Sequence, residues 1–272
     1  MRKVRIVTII LFVVVAVLYI GSLYWEKNMV DRRAPVISCP QEMLEVSVRD
    51  PDEALLADVT ARDDRDGDLS AKVIVGGISK LITEDTARVT YYVFDRSDNM
   101  ASATRMIRYT DYSRPVISLT RPLIYAAGES VSLTDRVKAQ DVIDGDISDR
   151  IHVSTTDIVE NAEGTYQISV FVTNSLGDST ELKLPLTITA DGLQSGEILL
   201  SEYLVYVEQG ASFDPSVYPI GAVLANGRST SLSGLDWSGD VDTETPGLYV
   251  VTYTCKGYNG RTLTAALIVV VE

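Results

Sequence analysis

The order of apolar and polar positions divides the chain into two unlike parts. From Ile6 to Trp25 the run is almost unbroken in its apolarity, and about twenty such residues are needed to cross a bilayer core. Residues 6–25 are therefore expected to form a transmembrane helix, behind a short tail, residues 1–5, that carries Arg2, Lys3 and Arg5. Tyr19, Tyr24 and Trp25 suit the interfacial belt at its outer end. Beyond residue 33 the pattern changes to short alternating runs separated by Gly, Asp, Asn and Ser, the signature of strands and turns. Val89–Phe94 and Ala103–Tyr109 predict a hairpin around residues 95–99. Thr165–Thr173 and Thr180–Thr189 predict a second. Leu248–Cys255 and Arg261–Val271 predict a third around Asn259-Gly260, a tight-turn dipeptide. Pro185 falls inside one of these runs, which places its strand at a sheet edge or a bulge.

The chain also repeats itself. Pro35-Val36-Ile37-Ser38 returns as Pro115-Val116-Ile117-Ser118, and the stretch Ala61–Ser70 returns as Ala139–Ser148 at nearly the same offset. A unit of about 80 residues is thus duplicated, and the remaining C-terminal length holds a third. The expected division is a linker over 26–33 and domains over 34–110, 113–190 and 193–272, each long enough for a seven-strand sandwich. The joining segments are short, which favours a stiff string over loose beads.

Charge narrows the partners. With 24 basic and 38 acidic residues the net charge is −14, a surface that repels phosphate and argues against nucleic acid. Such a surface attracts cations or keeps an exported protein soluble. Cys39 and Cys255 lie in different predicted domains and are expected to be free thiols, which fits an exported bacterial protein without disulfides. The basic N-terminus favours a cytoplasmic tail and extracytoplasmic domains, although Lys27, Arg32 and Arg33 follow the apolar run closely. A cleaved signal peptide is the competing reading, for which Gly21 and Ser22 offer a poor cleavage site.

Three stretches resemble bacterial surface Ig-like domains, which occur in tandem on exported proteins. They are the Asp-x-x-Asp-Gly-Asp-x-Ser element at 63–70 and 141–148, the run Val241–Tyr253, and Glu208–Pro215, with Ala127–Ser130 a weaker copy. Domain 1 departs by having Ala87-Arg88-Val89 where the resemblance calls for Gly-x-Tyr. The resemblance implies an all-β chain of three tandem Ig-like β-sandwiches after one transmembrane α-helix, displayed at the surface, with no single activity attached.

The acidic loops support two readings. Counting strand reversals brings Asp63, Asp66, Asp68, Asp95 and Asp98 to one pole of domain 1. The same count brings Asp141, Asp144, Asp146 and Asp178 to one pole of domain 2, with Asp111 on the incoming segment. Clustered carboxylates are the ligands calcium prefers, and an ion at the second pole would stiffen the joint to domain 1. The same residues also make turns by accepting backbone amides, with Arg33 and Arg114 as local counter-charges. His152 is the only histidine, no nucleophile-elbow or metal-hydrolase motif is present, and no enzyme is expected. The expected role is a non-catalytic scaffold, adhesion or spacer module anchored in the lipid bilayer through residues 6–25, with a surface protein as its partner. The alternative is binding of envelope glycan or polysaccharide, for which Trp237 is the foremost candidate, followed by Tyr218, Tyr249 and Tyr258.

Overall fold

The computed structural model describes residues 2–29, 31–155, 161–257 and 260–272. The turn expected at Asn259 and the candidate Tyr258 lie outside the described residues. Helix α1 spans Arg2–Met29, so the basic residues form its first turns instead of a separate tail. Its apolar side chains project outward all round, and it is the one described helix long and apolar enough to cross a membrane. The Thr8 hydroxyl donates to the carbonyl of Val4 at 3.0 Å, which satisfies a polar group on an otherwise apolar surface.

The described strands come in three sets of seven. In domain 1, β1 (Val36–Ser38), β3 (Thr60–Asp63) and β4 (Gly67–Asp68) form one sheet. The second sheet holds β2 (Met43–Val46), β5 (Ile74–Ile78), β6 (Thr86–Phe94) and β7 (Met100–Tyr109), in the order β2-β7-β6-β5. Domain 2 repeats this with β8 (Val116–Leu119), β10 (Val137–Asp141) and β11 (Gly145–Asp146) in one sheet. Its other sheet holds β9 (Ile124–Ala126), β12 (His152–Thr155), β13 (Gly164–Thr173) and β14 (Ser179–Thr189). The opening strand divides its pairing in both domains. β1 and β8 lie antiparallel to β3 and β10, and the chain then crosses so that β2 and β9 lie parallel to β7 and β14. This crossover departs from the plain count of strand reversals used on the sequence. It also leaves the start of the first strand and the end of the last strand at opposite ends of each domain, since the two run parallel.

Alternation in sequence becomes alternation in burial. Ala87, Val89, Tyr91 and Val93 of β6 are wholly buried, as are Ile168, Val170 and Val172 of β13. Pro185 pairs with Gln167 of β13 on one side. On its other side β9 joins only from Thr187 onward, so the missing N–H interrupts no second ladder.

Domain 3 has one continuous sheet made from β15 (Gly196–Leu200), β16 (Leu204–Val207), β17 (Pro219–Leu224), β18 (Ser229–Thr230), β19 (Asp236–Ser238), β20 (Gly247–Lys256) and β21 (Thr262–Val271). The chain divides into two compact units, Met1–Tyr112 and Ser113–Glu272. Domains 2 and 3 therefore belong together: their buried apolar side chains form one contiguous cluster running from Ile117 to Val271. Tyr206 pins that junction. Its hydroxyl donates to the Ile117 carbonyl at 3.0 Å and accepts the Ile117 N–H at 3.3 Å, and burial pushes its pKa up to about 12. Arg121 adds a two-pronged pair to Glu197 at 3.0 and 3.1 Å. The connecting residue Gly192 has φ +52, and a Cβ there would stand 2.3 Å from the Ala126 nitrogen, so only glycine fits.

Tyr206→Phe is expected to destabilise the second unit by about 1–2 kcal/mol, because a buried donor and acceptor lose their partner. Denaturant unfolding of the full chain in detergent checks this, and an unchanged midpoint would contradict it.

Candidate functional site

The duplicated acidic element is built the same way in both domains. Asp63 Oδ1 accepts the N–H groups of Arg65 and Asp66 at 2.8 Å each, and Asp141 Oδ1 accepts those of Ile143 and Asp144 at 2.9 Å each. Each carboxylate thus caps the turn between two short strands. The second acid of the element reaches the neighbouring hairpin. Asp66 accepts the Arg96 N–H at 2.6 Å, and Asp144 accepts the Ser175 N–H at 2.6 Å and its hydroxyl at 2.7 Å. The third acids, Asp68 and Asp146, each accept the N–H and hydroxyl of the serine two residues on. That serine hydroxyl accepts the N–H of Ala61 or Ala139. The loops at 63–68 and 95–99, and at 141–146 and 174–178, therefore do meet.

One position breaks the equivalence. In domain 2 the hairpin turn opens with Asn174, whose amide donates to Asp141 Oδ2 at 3.1 Å. In domain 1 the same turn opens with Asp95, which has no hydrogen to give when ionised. Asp63 Oδ2 is buried and lacks a hydrogen-bond partner among the described residues. A third carboxylate joins from the segment after α1: one oxygen from each of Asp31, Asp63 and Asp95 lies within 4.8 Å of the others. These residues are 8%, 5% and 6% exposed. Two of the three are held ionised. The amides of Asp66 and Arg65 keep Asp63 below the usual carboxylate range. Burial raises Asp95, but the side-chain and backbone donors of Asn99 and the Ser97 N–H outweigh it. Arg65 supplies a counter-charge, its Nε standing 3.7 Å from Asp31. Asn99 bridges the cluster by donating to the Asp31 carbonyl at 3.2 Å and to Asp95 at 2.7 Å.

The other candidates sit elsewhere. Asp98 is exposed in a left-handed turn conformation, φ 62, and is no part of this triad. Asp111, which sequence reasoning placed at the domain 2 pole, makes its described bonds within domain 1. It binds the Ser47 hydroxyl at 2.7 Å and the Val48 N–H at 2.8 Å, because parallel β2 and β7 end side by side. Asp178 pairs with Arg114 at 3.8 Å, Asp144 with Arg150 at 2.6 Å, and Arg33 with Asp64 at 2.6 Å. The domain 2 carboxylates thus have donors of their own. Asp31 was missed because it lay in what read as linker. The one available signal was its position four residues before Pro35, which Asp111 shares before Pro115.

Comparison with known proteins places the C-terminal part. Residues 207–269 match the bacterial Ig-like domain, group 3. The chain is also 30% identical over 120 residues to the pesticidal crystal protein Cry22Aa of Bacillus thuringiensis, a match that covers 43% of this chain but only 16% of that protein. Solved structures that match at low similarity include CBM51-2 in complex with GlcNAc and INT domains from Clostridium perfringens ZmpB, at 14% identity and TM-score 0.23, covering 87% of this chain and 41% of that one. Drosophila N-cadherin EC1-4 is similar at 14% identity and TM-score 0.22, covering 78% and 63%.

Within the matched region, Trp237 lies on β19 at the end of the sheet and is 42% exposed. Tyr218 is half-buried and stacks on Phe213 at 5.7 Å, and Tyr249 is half-buried with its hydroxyl on the Thr245 carbonyl. In domain 2, His152 is exposed on β12 and stacks on Phe171 at 5.0 Å. Cys39 and Cys255 are both free.

Because Asp63, Asp68, Asp95, Asp144 and Asp146 are all depressed from 3.8, their stabilising effect is complete at neutral pH. It is lost as pH falls below that value and the native carboxylates take up protons. Thermal unfolding from pH 7 to pH 3 is expected to show a plateau and then a steep fall. Asp144→Ala, which removes the acceptor for Ser175 and Arg150, is expected to cost about 1–3 kcal/mol at pH 7 and to flatten that fall.

Proposed function

We propose that this chain is a non-catalytic spacer and scaffold module, anchored in a membrane by α1 with its Ig-like domains outside the cytoplasm. The observation that carries the reading is the fused core of domains 2 and 3. A continuous apolar cluster, the Tyr206–Ile117 bonds and the glycine-only contact at Gly192 make a stiff unit of two domains, the property a presenting scaffold needs. The apolar surface of α1 and the acidic charge of the chain support tethering and exposure to water. The basic first turns of the helix favour retention of the N-terminus in the cytoplasm.

A second reading is favoured by Trp237. An indole this exposed on an end strand offers an apolar plate against which a sugar ring of envelope glycan packs.

Two experiments separate these. With epitopes at both ends, antibody on intact cells is expected to reach the C-terminal one alone, and external protease to remove it. Access to the N-terminal epitope before lysis would overturn the orientation. Trp237→Ala is expected to leave retention by purified cell wall unchanged if the chain is a spacer, and to abolish it if the chain binds glycan.

A further inference from the structure

We propose that Asp31, Asp63 and Asp95 form a binding site for a hard divalent cation of the calcium class, present in domain 1 and absent from domain 2. The proposal does not depend on the scaffold reading.

Three observations converge. First, three carboxylates with one oxygen each inside a 4.8 Å span offer an all-oxygen donor set, which suits calcium over softer transition metals. Second, Asp63 is 5% exposed and its Oδ2 has no hydrogen-bond partner among the described residues. With Oδ1 engaged by two amides, Oδ2 is the oxygen left for the cluster. Leaving a charged oxygen buried and unpaired is costly, and a bound cation removes that cost. Third, the molecule contains its own control. Domain 2 has the same strands, turns and Asp-Gly-Asp element, yet Asn174 replaces Asp95 and its amide satisfies Asp141 Oδ2 directly. Nature has closed one pole with a hydrogen bond and left the other with a surplus of negative charge.

The position of Asp31 gives the site a consequence. It follows α1, which ends at Met29, and precedes β1, which begins at Val36. A cation shared by Asp31, Asp63 and Asp95 ties the segment leaving the membrane helix to both loops of the domain 1 pole. The three carboxylates supply fewer ligands than the six to eight oxygens calcium takes, so second carboxylate oxygens, backbone carbonyls or water complete the shell.

The test uses the full chain in detergent, stripped with chelator and titrated with calcium chloride by calorimetry, with thermal unfolding in calcium and in EDTA. Saturable binding of one ion and a raised melting temperature in calcium are expected. Asp95→Asn copies the domain 2 arrangement and supplies a donor for Asp63. It is expected to bind no calcium and to melt in EDTA at or above the wild-type temperature. Asp31→Asn, outside the sheets, is expected to weaken binding by about tenfold or more while leaving the EDTA melting temperature unchanged. Tryptic cleavage after Arg32 and Arg33 is expected to slow in calcium for the wild type alone. An absence of saturable heat with identical melting in calcium and EDTA would overturn the site. Undiminished calcium binding by Asp95→Asn would overturn it equally, by showing that the ion sits elsewhere.

Discussion

A carboxylate oxygen taken out of water has to meet a donor or a positive charge, and both poles of this protein are organised around that demand. Asp63 and Asp141 sit at the ends of equivalent strands and use one oxygen in the same way, to gather two backbone amides of the turn that follows. The free oxygen of each then points toward the second hairpin. What that hairpin presents decides the character of the pole. An amide at Asn174 gives a satisfied contact, and a carboxylate at Asp95 gives a cluster of three buried acids. A single difference between Asn and Asp in a hairpin turn decides whether the buried oxygen opposite meets a donor or another carboxylate.

The two hairpins meet because of the strand crossover at the start of each domain. β1 pairs with β3 and β2 with β7, so the first strand stitches the two sheets together before the core is built. The same crossover sends Asp111 to Ser47 and Val48 at the far end of domain 1. In the second unit a related economy operates between domains. Tyr206 of domain 3 takes both backbone groups of Ile117 in domain 2, and the two cores merge instead of ending at separate polar surfaces. Stiffness there comes from burial and satisfied backbone, and the short linker contributes through Gly192 packing on Ala126.

Much of this was legible in residue order. The three long hairpins fell within one to three residues of their predicted limits at all described ends, since period-two alternation over eight or more residues has few other solutions. The apolar run forecast the helix, which extends beyond residues 6–25 in both directions because Arg, Lys and Glu are good helix formers. The internal repeat announced equivalent acidic loops. It put Asp95 among the candidate ligands and passed over Asn174, but could not announce that the Asn174 amide donates to Asp141. The union of domains 2 and 3 was equally hidden, since Tyr206 and Ile117 are distant in sequence and each looks like any strand residue.

Periodicity, repeats and charge by themselves determined a membrane-length helix, a run of β-sandwiches and an acidic surface, because each is a property of local order or of sums along the chain. Only the tertiary structure decided that Asp31 joins Asp63 and Asp95, that Asp111 bonds to Ser47 and Val48 of domain 1, and that Asp63 Oδ2 has no donor among the described residues. Those facts depend on which groups meet across sheets and loops. Whether a buried oxygen finds a hydrogen is a question about distances of a few ångströms, and residue order does not carry it.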